Sequence, residues 1–109
     1  MKTYEINFKV TLDENNTPLD IIWEADDAGE KSSCKSVMIT LWDAKENNTV
    51  SIDLWTKDML VDEMKTFFHQ TLLSMAGTLK RATGEEKIAE DMKGFCAYFA
   101  EKMNLLEKK

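Results

Sequence analysis

Residues 3–12 alternate. Tyr4, Ile6, Phe8, Val10 and Leu12 take the even positions, and Thr3, Glu5, Asn7, Lys9 and Thr11 the odd ones. Side chains of an extended chain point alternately to its two sides, so this period of two dictates a strand with one dry and one wet face. Such a strand needs partners in a sheet and a second layer against its apolar side. The following residues supply partners. Asp13-Glu14-Asn15-Asn16-Thr17-Pro18 has turn chemistry. Leu19, Ile21, Trp23 and Ala25 then alternate with Asp20 and Glu24 as a second strand. A polar loop over Asp26–Ser33 separates it from a third strand, Ser36–Asp43, with Val37, Ile39 and Leu41 on one face. A fourth, Thr49–Trp55, carries Val50, Ile52 and Leu54.

The last two strands read as a hairpin turning at Asn47-Asn48, since Asn accepts positive φ. In that register Leu41 faces Leu54, Trp42 faces Asp53 and Trp55 faces Thr40. The two indoles then sit as diagonal neighbours on the side opposite the aliphatic row, with Met38 on the same side.

From residue 60 the spacing becomes helical. Leu60, Val61, Met64, Phe67, Phe68, Leu72, Met75, Ala76 and Leu79 cover about half of a helical wheel. Asp58 reads as the N-cap, Asp62 and Glu63 suit the positive end of the dipole, and Lys80 and Arg81 the other end. Thr83-Gly84-Glu85-Glu86 predicts a capping box for a second helix. That helix has a stripe of Ile88, Met92, Phe95, Cys96, Phe99, Met103 and Leu106. The order is ββββαα: an α+β domain spanning 1–109, with a four-stranded antiparallel sheet and two helices packed on one face.

Composition narrows the functional classes. The chain of 109 residues carries 14 basic and 20 acidic side chains, a net charge of −6, and a pI near 4.8. A polyanionic nucleic acid or an anionic bilayer is a poor match for that charge. Met1-Lys2-Thr3-Tyr4-Glu5 lacks the apolar core of a signal peptide, and no window is long and apolar enough to cross a bilayer, so membrane insertion is not expected. Cys34 and Cys96 are read as free thiols of a cytoplasmic chain, with Cys96 a small buried hydrophobe on the helical stripe.

Candidate chemistry is sparse. His69, the one histidine, falls at the margin of an apolar arc with no second ligand or nucleophile patterned around it. It reads as a boundary residue rather than a general base or metal ligand. Asp13-x-Asn15-x-Thr17 followed by Glu24 mimics calcium-loop spacing, but Pro18 stands where the loop needs Gly and the flanks are strands. Asp26 and Asp27 read as a solvated acidic loop. No phosphate loop, nucleophile elbow or zinc-protease motif is present, so no catalytic residue, cofactor or metal is assigned and no enzyme is expected. Met64, Met75, Met92 and Met103 read as helix core filler. The informative feature is the Met38, Trp42 and Trp55 cluster. Two indoles on an otherwise polar sheet face mark a protein-binding or self-association surface, unless the Asp26–Ser33 loop folds over them.

Two strings are distinctive: Asp53-Leu54-Trp55-Thr56-Lys57-Asp58-Met59, continued by Val61-Asp62-Glu63-Met64-Lys65 and Phe67-Phe68-His69-Gln70-Thr71-Leu72, and then Arg81-Ala82-Thr83-Gly84-Glu85-Glu86-Lys87. With Leu12-Asp13-Glu14-Asn15-Asn16, they closely resemble the gliding-motility protein GldC family of the Bacteroidetes, over nearly the whole chain. Leu60 departs from the Pro expected there, which bears only on how the first helix begins. The resemblance implies a small accessory protein of surface gliding and the secretion linked to it, with a protein partner in the gliding machinery. It implies no catalytic activity and no ligand. Trp55, Phe67, Phe68 and His69 mark membership and carry no assigned role. The residues leave two non-enzymatic readings: an adaptor, with homo-oligomerisation open to it, and a holdase resembling the SecB export chaperone by element order, acidity and apolar surface.

Overall fold

In the computed structural model, which describes residues 1–26 and 30–105, the alternating stretches form β1 (Ile6–Leu12), β2 (Pro18–Ala25), β3 (Glu30–Cys34), β4 (Ser36–Asp43) and β5 (Asn48–Trp55). The helical stretches form α1 (Val61–Thr83) and α2 (Glu86–Lys102). The chain divides into two compact units, Met1–Met59 with the strands and Leu60–Lys109 with the helices. The α+β class holds, but the single four-stranded sheet does not. The five strands form two antiparallel sheets, β1-β2-β3 and β4-β5.

The difference arises between Ala25 and Ser36, where a polar loop was expected. Glu30–Cys34 instead pairs with β2, Trp23 against Ser32 and Ile21 against Cys34. Its composition, Glu-Lys-Ser-Ser-Cys, offers no apolar alternation, so only backbone pairing with β2 makes it a strand. Residues 27–29 lie outside the described residues.

β1 and β2 pair as the alternation demands, with Phe8 opposite Trp23 and Val10 opposite Ile21, and the register shifts between Thr11 and Leu12. The connecting turn is built around Asp13. Its Oδ1 accepts the Asn15 and Thr17 N–H groups at 2.8 and 2.9 Å, and Asn16 takes φ 63°, a conformation Asn tolerates. Lys57 reaches the other carboxylate oxygen, Nζ to Oδ2, at 2.9 Å. The same segment joins the hairpin to its neighbours. The Lys57 N–H donates to the Pro18 carbonyl and the Thr56 N–H to the Lys35 carbonyl. Buried Thr56 gives its one hydroxyl proton to Asp58 Oδ1 at 2.6 Å.

That bond also corrects the start of α1. Asp58 is occupied by Thr56, and the helix opens two residues later with Leu60 as N-cap. Leucine has no side-chain acceptor to offer; instead Glu63 Oε1 accepts the Leu60 N–H at 2.8 Å. The expected Thr83 to Glu86 capping box is absent too. Thr83 is the last residue of α1, and its hydroxyl donates to the Leu79 carbonyl at 2.8 Å. Gly84, at φ 76°, closes the helix by donating its N–H to Lys80, the left-handed cap that glycine adopts without a Cβ penalty.

Within the helical unit α1 and α2 pack together. Ala76, Ala89, Cys96 and Ala100 are buried, and residues this small let two helix backbones approach closely. Cys96 is thus the small buried hydrophobe its stripe implies. Met75 and Met103 are exposed rather than core filler, and Leu106 lies outside the described residues.

Candidate functional site

The β4-β5 hairpin carries the candidate surface. Its ladder pairs Val37 with Leu54, Ile39 with Ile52 and Leu41 with Val50, so the aliphatic row shares one face as expected. The individual pairings differ. Trp42 faces Thr49 rather than Asp53, and Trp55 faces Ser36 rather than Thr40. The turn explains this shift. Asp43 Oδ1 accepts the Lys45 N–H at 3.0 Å and the Asp43 carbonyl accepts the Asn47 N–H at 2.8 Å. The chain therefore reverses over residues 44–47, with only Asn47, at φ 52°, in the left-handed region.

The displacement from Asp53 to Thr49 is an even number of residues, so no side chain changes face. It does separate the indoles. Trp55 lies across from Ser36, six positions along β4 from Trp42, or about 20 Å at the rise of an extended chain. The two rings project from one face at opposite ends of the hairpin and are not diagonal neighbours. Met38, opposite Asp53, remains diagonal to Trp55, within reach of a thioether–aromatic contact. Trp42 is 67% exposed and Trp55 56%, and Met38 is half-buried. Residues 30–33 of the loop expected to cover them are strand β3 and its backbone belongs to β2.

The other candidates acquire plain roles. The half-buried His69 stacks on Phe99, ring centroids 6.2 Å apart at 19°, as a boundary residue between α1 and α2. Asp13 spends both oxygens on backbone N–H groups and Lys57; these bonds, the one from Thr17 first, hold its pKa below the ordinary carboxylate value. Asp26 accepts the Glu5 N–H at 3.2 Å, and Asp27 lies outside the described residues. Partial burial raises the Cys34 pKa, which disfavours the reactive thiolate. Both cysteines are free. Among the described residues no group of His, Cys, Asp or Glu is placed to hold a metal ion. Among the described residues a hollow along Asp62, Glu63, Thr66, Phe67 and Gln70 draws its lining from α1.

Sequence reasoning missed the separation of Trp42 from Trp55 along the hairpin. The signal was Asp43, an Asx-turn former that starts the reversal before Asn47.

Two small antiparallel ladders and a helical hairpin define an α+β protein, with two exposed indoles on one face of the β4-β5 hairpin. Residues 18–105 match the family model described as gliding motility-associated protein GldC-like. The chain belongs to that family. No curated protein and no solved structure matches it significantly. Among the described residues no helix is long and apolar enough to cross a membrane.

Proposed function

We propose that the protein is a non-enzymatic adaptor of gliding motility and its linked secretion, acting in the cytoplasm through protein–protein contacts made by Met38, Trp42 and Trp55. The observation that carries this reading is the exposure of both indoles on one face of the β4-β5 hairpin. Exposed tryptophans lose favourable free energy in water and regain it when a partner covers them, which is why they anchor interfaces. Their separation suits two anchor points of one extended partner surface better than a single pocket. The family match crosses both compact units, which supports one functional module over residues 1–109.

The test is the double substitution Trp42→Ser/Trp55→Ser, judged by co-purification of gliding-machinery proteins from the native host. We expect partner capture to be lost while the far-ultraviolet spectrum stays native. Undiminished capture by a folded double variant excludes this surface.

A second reading is supported by the aliphatic row on the other face, where Leu41, Val50 and Ile52 are all exposed. Continuous apolar surface of this kind suits a SecB-like holdase for unfolded clients. A holdase slows aggregation of an unfolded client at stoichiometric ratio, and an adaptor leaves it unchanged.

A further inference from the structure

β1 is the outer strand of the three-stranded sheet. The direction of its free edge follows from three bonds. The Glu5 carbonyl accepts the Asp26 N–H at 3.1 Å, and the Asp13 N–H donates to Thr17 at 2.9 Å. The Glu5 N–H turns the same way, to Asp26 Oδ2. Odd residues therefore direct their backbone groups towards β2. The alternation of an antiparallel ladder sends the N–H and C=O of Ile6, Phe8 and Val10 outward. Sheet edges are ordinarily blunted by Pro, bulges or charge. Along Ile6–Leu12 there is no Pro, the register shift comes only at Thr11/Leu12, and Lys9 is the single charge.

We propose that this edge pairs with β1 of a second copy, antiparallel, about a two-fold axis at Asn7. Outward backbone groups sit on even residues, so hydrogen-bonded pairs must join even positions with even ones. An axis at Asn7 satisfies this by pairing Ile6 with Phe8 and Tyr4 with Val10, which puts apolar side chains together on one face. It also sets Glu5 against Lys9 twice on the other face. These are non-hydrogen-bonded pairs, the class in which side chains approach most closely. An axis at Lys9 would oppose two ammonium groups, and one at Phe8 would set Lys9 against Asn7 and Glu5 against Thr11. Neither Glu5 nor Lys9 has an ion-pair partner among the described residues. One strand thus supplies both members of every pair, which fits a second copy better than an unrelated strand. The proposal does not rest on the tryptophan surface.

Sedimentation equilibrium of the full chain at low salt tests it. We expect a dimer that Glu5→Lys and Lys9→Glu each weaken about tenfold or more, since two symmetric pairs turn repulsive. The two single variants mixed together, and the double variant Glu5→Lys/Lys9→Glu, should both recover wild-type affinity. Phe8→Pro removes an outward N–H that the sheet does not use, so the fold should persist by circular dichroism while the dimer is lost. A wild-type chain that stays monomeric at tens of micromolar overturns the proposal. So does a dimer indifferent to these changes, a mixture that fails to recover, or a dimer abolished by Trp42→Ser/Trp55→Ser instead.

Discussion

Asp13 shows how much one side chain can organise. Its carboxylate holds the β1-β2 turn through two backbone N–H groups and meets Lys57 across 44 positions of chain. All of these bonds favour the ionised form, so the folded pKa lies below the unfolded one. The stabilisation is therefore complete above the unfolded pKa, near 4, and is lost as pH falls through the lowered folded value. Asp58, held down chiefly by the Thr56 hydroxyl, adds a contribution of the same sign. We expect Asp13→Asn to lower stability at neutral pH and to flatten its decline as pH falls below about 4, as read from urea midpoints across the acid range. An unchanged acid profile would mean that these bonds persist in the unfolded chain. The turn itself was legible, because Asp, Asn and Pro act on their immediate neighbours. Lys57 was not, because nothing local links it to residue 13.

The elements divide in the same way. β1, β2, β4, β5 and both helices follow periodicities that local sterics and a single solvent boundary impose. β3 follows neither, since Glu30–Ser33 are polar and take strand geometry from β2 alone. Helix ends were half legible. The boundary between the two helices falls where the Thr83–Glu86 string places it, but Gly84 there closes α1 rather than sitting inside a capping box. Substituting it isolates that role: a Cβ there would meet nothing within 4 Å, so only backbone strain is introduced. Gly84→Ala is expected to cost about 1 kcal/mol. Gly94, in the middle of α2 with equally open space around it, should respond with the opposite sign. Gly94→Ala is expected to stabilise by about 0.5–1 kcal/mol through helix propensity. Denaturant midpoints of the pair measure the contrast.

At the scale of the whole molecule the imbalance lies between apolar content and its burial. Hydrophobic residues make up 43% of the chain, yet among the described ones the buried set is Ile21, Val37, Ala76, Ala89, Cys96 and Ala100. Only Ile21 and Cys96 stand out as fully buried side chains of any volume. The proposed pairing of β1 edges would cover part of this exposed surface, and association then enters stability by mass action. The thermal midpoint should therefore rise with protein concentration, by a few degrees from about 1 to 100 micromolar in differential scanning fluorimetry. A midpoint independent of concentration would mean that the monomer is self-sufficient. The candidate surface was legible in kind, because hairpin parity survives any even shift. Its layout was not, because the reversal at residues 44–47 sets the spacing of the tryptophans.

Lys35 has a consequence of its own. It is the single residue between β3, which pairs with β2, and β4, which pairs with β5, and its carbonyl is already committed to Thr56. It acts as a phase spacer between two ladders. Adding or deleting one residue there would roll the aliphatic row and the tryptophans of the hairpin through half a turn and exchange their sides. Each ladder would keep its internal bonds. Chain length at this one point thus encodes which way the hairpin faces.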